Sequence, residues 1–181
     1  MGYDEKIFKA KANIKARRLW LVFAILLTAN YGTDTANGAY SVSNYIIFVI
    51  LCWLPFVCGD ILLKRKGKDN DRYRLAFVIG YGIFYVFLLC TTTSPIAFTY
   101  ILPIISLIVI FKDEKFMIYC AVANMLGLIA SIAFHIFVLG QNTAIDHKNF
   151  QLQIACLLLC YIGYIMNFSS LNITKIGRAH V

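Results

Sequence analysis

The sequence predicts an all-α fold: a polytopic transmembrane helical bundle of six spans with both ends in the cytoplasm. Hydrophobic residues make up 60% of the chain and charged residues only 14%, whereas soluble domains run near about 25% charged. The apolar residues gather into runs of the length that helices need to cross a bilayer, about 20 residues. The main interruptions are two basic segments, 1–18 and 64–74, each carrying six Lys/Arg against two acidic residues. Basic residues beside membrane spans stay on the cytoplasmic side. Two such clusters separated by an even number of crossings set the orientation.

The first segment holds Lys6, Lys9, Lys11, Lys15, Arg17 and Arg18. It is too long, polar and acidic for the basic region of a signal peptide, and no small-residue cleavage site closes the apolar run after it. The first span is therefore expected to be retained. It begins near Leu19 and is uniformly apolar only to Ala29, so its outer end must include Asn30, Tyr31 and Asp34. The second span is expected over about 43–63, followed by the second basic segment with Lys64, Arg65, Lys66, Lys68, Arg72 and Arg74. The third covers about 75–93 and the fourth about 96–111, with Pro95 between them. The fifth covers about 116–139 and the sixth about 150–168. The fourth is short, and a re-entrant segment there would leave five spans. On the six-span count, Asp34, the TTTSP turn and residues 140–149 lie outside. The basic clusters and the neutral run Lys112-Asp113-Glu114-Lys115 lie inside.

Few polar residues interrupt the apolar runs. Asp34, among Asn30, Thr33, Thr35 and Asn37, is either a recognition or ion-sensing carboxylate facing a crevice or a solvated cap where the helix leaves the lipid. Asp60 stands one turn before Lys64, the spacing of an i,i+4 ion pair. His135 lies in the outer half of the fifth span, where it would sense pH or bond to a neighbouring helix. Asn124 and Gly127, beside Ala121, Ala123, Ala130 and Ser131, form a small, weakly polar strip suited to helix contact. Pro55 and Pro103 remove backbone donors and are expected to bend the second and fourth spans, as gates or signalling hinges or as tolerated kinks. Trp20, Tyr40, Tyr45, Trp53, Tyr73 and Tyr100 supply interface anchors and core rings.

The formal charge of +8 does not mark nucleic-acid binding, because the basic residues flank apolar runs and form no stripe on a polar fold. Membrane lipid is the expected partner. The six cysteines all fall within or at the rims of spans, where they act as small hydrophobes. Cys156 and Cys160 share a helix face, but no histidine or acid joins them at metal-ligand spacing. No zinc motif, catalytic triad, phosphate loop or nucleotide fingerprint is present. No enzyme activity, metal or cofactor is therefore expected.

The final KIGRAHV back-translates as AAG ATC GGA AGA GCA CAC GTC. After its first two bases this resembles the common short-read sequencing adapter. Residues 176–181 are accordingly read as adapter-derived, with Arg178 and His180 carrying no function, and Lys175 shares its codon with the junction. The expected organisation is a basic segment at 1–18, a six-span module at 19–168, and the start of a linker at 169–175. A cytoplasmic output domain is expected to follow that linker.

The stretch TTTSPIAFTYILPIISLIVIFKDEKFMIYCAVANM, residues 91–125, resembles the membrane region of clostridial-type methyl-accepting chemotaxis proteins. So does QLQIACLLLCYIGYIMN, residues 151–167. Similar compact modules precede diguanylate cyclase and histidine kinase domains in those bacteria. The resemblance implies a sensory module in the bacterial inner membrane, a homodimer or higher receptor array, and a long cytoplasmic coiled-coil hairpin. It also implies coupling to a chemotaxis adaptor and kinase through that hairpin. The chain itself holds no methylatable Glu/Gln helix and no hairpin tip. A small-molecule transporter is the competing class, but its charged residues would be expected along a midplane route rather than at the rims.

Overall fold

A computed structural model describes residues 2–92, 94 and 96–179, and the side chains of 4–92, 94 and 96–167. The expected break at Pro95 and the adapter-like His180 lie outside the described residues, as do the side chains of Phe168 and Arg178. Six α-helices follow in order among the described residues: α1 (Gly2–Ala36), α2 (Val42–Lys66), α3 (Arg72–Thr91), α4 (Ile101–Val109), α5 (Glu114–Phe137) and α6 (Ala144–Ala179). A 3₁₀ turn, Ala97–Tyr100, leads into α4. The all-α expectation holds, and this is a multi-pass membrane architecture.

The six-span count does not hold. Among the described residues, four helices are long and apolar enough to cross a bilayer: α2, α3, α5 and the Ala144–Asn167 part of α6. In α1 the mainly apolar stretch is residues 19–29, about 16 Å of helix against about 30 Å of hydrocarbon, and Asn30, Thr33 and Asp34 follow it. In the fourth segment, Ala97–Val109 joins a 3₁₀ turn to nine α-helical residues, about 20 Å in all. The side assignments that counted six crossings, including a cytoplasmic C-terminal end, fall with the count.

The chain divides into two compact units, Met1–Thr92 and Thr93–Val181. In the first, α1 packs on α2 and α2 on α3. One face of α1 carries Ala12, Ala16, Trp20 and Ala24 at four-residue spacing, all buried, so small residues bring the helices close and one large ring fills the space between. That ring, Trp20, is fully buried and meets Phe77 and Tyr81 of α3 edge-on, each at 5.2 Å between centroids. The α2–α3 contact is close for a stated reason. Gly80 lies against buried Pro55, where an added Cβ would sit 2.4 Å from the ring, and Gly59 lies against Tyr73, where one would sit 2.8 Å from Cε2.

Helix ends follow their local chemistry. Ser41 caps α2 by accepting from the Asn44 amide, and Lys64, Arg65 and Lys66 stand in its last turn, where cations offset the negative end of the helix dipole. In the second unit, Asp113 caps α5 by accepting from the Phe116 amide at 3.0 Å. Asp113→Ala should lower the melting temperature in micelles by the equivalent of about 1 kcal/mol; no shift would show that the cap contributes nothing.

The start of α6 differs from the sequence expectation. Thr143 and Asp146 form a reciprocal cap: the Thr143 amide donates to Asp146 Oδ2 at 2.9 Å, and the Asp146 amide donates to Thr143 Oγ1 at 3.2 Å. The helix therefore begins at Ala144, six residues before the expected start at Phe150. Asp146, His147 and Lys148 belong to its first turns rather than to a loop.

Candidate functional site

Polar and charged side chains concentrate at three places, two in the first unit and one in the second. The first is the basic end of the Met1–Thr92 unit. Lys15, Arg17 and Arg18 lie on α1; Lys64, Arg65 and Lys66 close α2; Lys68 is in the turn; Arg72 and Arg74 open α3. Four contacts draw the two clusters together. Lys9 Nζ reaches Asp71 at 3.1 Å. The Asn13 side-chain amide donates to the carbonyls of Lys68 and Asn70 at 2.9 and 3.1 Å. Arg17 Nε donates to Asp60 Oδ1 at 2.5 Å, and its guanidinium sits over the Phe56 ring. Asp60 thus serves two cations, because Lys64 reaches its other oxygen at 2.9 Å. Hydrogen bonds donated to Glu5 and then to Asp71 hold the pKa of the Lys9 ammonium above its ordinary range.

The i,i+4 partner of Asp60 was legible in sequence; Arg17, 43 residues away, was not. Because the Asp60 side chain is only 18% exposed while Arg17 is 40% exposed, solvent weakens the pair without removing it. A double-mutant cycle with Arg17→Gln and Asp60→Asn should give a coupling of about 1 kcal/mol. A coupling of zero would show the pair to be incidental.

The second place is the opposite end of α1. Tyr31 stacks on Tyr40 and Phe48 with centroids 4.3 and 4.1 Å away, and the Tyr40 hydroxyl bonds Thr92 Oγ1 at 2.9 Å. Asp34 is half-exposed there, its backbone carbonyl accepting from Ala39. An open, mainly apolar groove of about 450 Å³ runs nearby between α1 and α2, floored by a Trp53-to-Thr28 hydrogen bond and lined also by Gly32, Thr33 and Tyr45. Asp34 does not line it.

In the second unit the buried polar residues of α5 are Asn124, Ser131 and His135. Asn124 donates to the Tyr161 hydroxyl of α6, so this member of the strip read from the sequence meets another helix, while Ala123 and Ala130 of that strip are exposed. His135 stands two residues before the end of α5, where Nδ1 bonds Gln141 Oε1 at 2.9 Å and the ring packs beside Phe134 and Phe150. That hydrogen bond belongs to the α5–α6 turn.

The two prolines have different settings. Pro55 is inside α2, and the helix runs through it from Val42 to Lys66, with the ring serving as the contact for Gly80. Pro103 is the third residue of α4, in the first turn, where amides lack intrahelical acceptors. It opens a helix rather than interrupting one. Among the described residues no three His, Cys, Asp or Glu side chains converge as a metal site.

The structure divides these candidates between its two units. Asp34 and Pro55 belong to the first unit; Asn124, His135 and Pro103 belong to the second. What it joins is the two basic clusters. No known protein family, curated protein or solved structure matches this chain.

Proposed function

We propose that the chain is the membrane input module of a bacterial signal transducer, of the chemotaxis-receptor type, with α6 as its output element. The observation that carries this reading is the length and continuity of α6. Leaving out the adapter-like tail, it runs from residue 144 to residue 174, about 46 Å, whereas the membrane-length part is 24 residues. A helix that leaves the bilayer unbroken transmits rotation, tilt or sliding to whatever follows it. The buried Asn124–Tyr161 bond supports this role by fixing the facing surfaces of α5 and α6, so that a stimulus at one helix is felt at the other.

In this role the chain performs no catalysis. Its output partners would be a chemotaxis adaptor and kinase, and its working form a homodimer or higher receptor assembly in the inner membrane. An input region for a diguanylate cyclase or histidine kinase would use α6 in the same way.

Two measurements test the proposal. The uninterrupted gene should continue past the codon for Thr174 into heptad-rich Glu/Gln/Ala sequence; an immediate stop would sink it. Uptake of labelled solutes by vesicles containing the chain would favour transport instead.

A further inference from the structure

We infer that the basic end of the first unit is a single recognition face for anionic phospholipid headgroups. The sequence presents two clusters; the structure makes them one surface. Asn13 joins α1 to the α2–α3 turn through the carbonyls of Lys68 and Asn70, and Lys9–Asp71 and Arg17–Asp60 tie the same elements on either side.

These contacts also decide which charges stay inside the protein. Residues 1–18 and 60–74 hold twelve Lys/Arg against five acids, a surplus of seven. Three of the acids, Glu5, Asp60 and Asp71, are engaged by cations of this same end. Nine of the twelve cations are nevertheless exposed, Lys11, Lys15 and Arg18 on α1 and Lys66, Lys68 and Arg72 around the turn among them. The internal pairs thus hold the frame, and the surplus cations face outward.

The occupant follows from position and charge. The face lies where α2 ends and α3 begins, and both helices are long and apolar enough to cross a bilayer. Its cations therefore stand at headgroup level, where each Lys or Arg near an anionic leaflet contributes about 1 kcal/mol of attraction. Nucleic acid shares the phosphate chemistry, but it has no reason to meet the ends of two membrane helices. Headgroups are already there.

The test uses the full chain purified in neutral detergent. Phosphatidylglycerol and phosphatidylcholine are added in turn, and bound lipid is counted by native mass spectrometry. Phosphatidylglycerol should bind about tenfold or more tightly than phosphatidylcholine, with the preference falling as salt is raised. Two variants follow, one with Lys11→Gln, Lys15→Gln and Arg18→Gln, the other with Lys66→Gln, Lys68→Gln and Arg72→Gln. Because the clusters form one face, each variant should lose about tenfold in phosphatidylglycerol affinity while binding phosphatidylcholine unchanged. Equal binding of the two lipids by the unaltered chain would overturn the inference. So would a preference that ignores salt, which is decisive even if a variant fails to fold. Competition by inorganic phosphate or a short single-stranded RNA at the same concentration as lipid would overturn the headgroup assignment.

Discussion

Trp20→Ala will be the most damaging single truncation in the first unit, costing about 3 kcal/mol. The ring is fully buried and meets Phe77 and Tyr81 edge-on. Large-to-small aromatic changes in cores cost about 3–5 kcal/mol, and the lower end applies here. Lipid is as apolar as the neighbouring side chains, so the loss comes from the cavity and missing contacts rather than from transfer out of water. Trp20→Phe separates shape from polarity. The indole N–H is buried without a hydrogen-bond partner, and phenylalanine removes that uncompensated donor while keeping a ring at the site. Reversible unfolding in mixed micelles should show the Phe variant losing less than half of what Ala loses. An Ala variant within 1 kcal/mol of the parent protein would mean that this aromatic cluster does not hold α1 to α3.

The second large effect is expected at Gly80. Its backbone lies so close to Pro55 that an added methyl would sit 2.4 Å from two ring carbons. The pyrrolidine ring has no rotamer in which to retreat, so the helices themselves must separate. Gly80→Ala should cost about 1–3 kcal/mol by overpacking, and Gly80→Leu should break the α2–α3 contact outright. Gly82, two residues along the same helix, is the control, because nothing lies within 4 Å of where its Cβ would be. Gly82→Ala should be neutral or stabilising by up to about 1 kcal/mol through helix propensity alone. If both alanines behave alike, the close approach is not what positions α3.

Much of this architecture was legible from residue order, for local reasons. Length and apolarity find α2, α3, α5 and the membrane part of α6, and the i,i+4 rule finds Asp60 with Lys64. The failed span count has an equally local cause. Hydropathy joined the mainly apolar stretch 19–29 of α1 to a polar tail, and took a 3₁₀ turn with nine α-helical residues for a full crossing. The early start of α6 had a signal that went unread: Thr143 and Asp146 stand at capping-box spacing before an apolar run. The tertiary contacts had no such signal. Nothing in the order of residues pairs Arg17 with Asp60, sets Gly80 against Pro55, or aims Asn124 at Tyr161. These depend on which faces meet, and amphipathic patterning says little about faces when the surroundings are themselves apolar.

The turn between α5 and α6 bears on the order in which the chain assembles. His135 with Gln141, Asn142 with His147, and Thr143 with Asp146 are partners six, five and three residues apart. Contacts so near in sequence close small loops at little entropic cost, and topologies rich in them fold fast. The hairpin of α5 and α6 therefore zips from its own turn, with Asn124–Tyr161 joining afterwards across 37 residues.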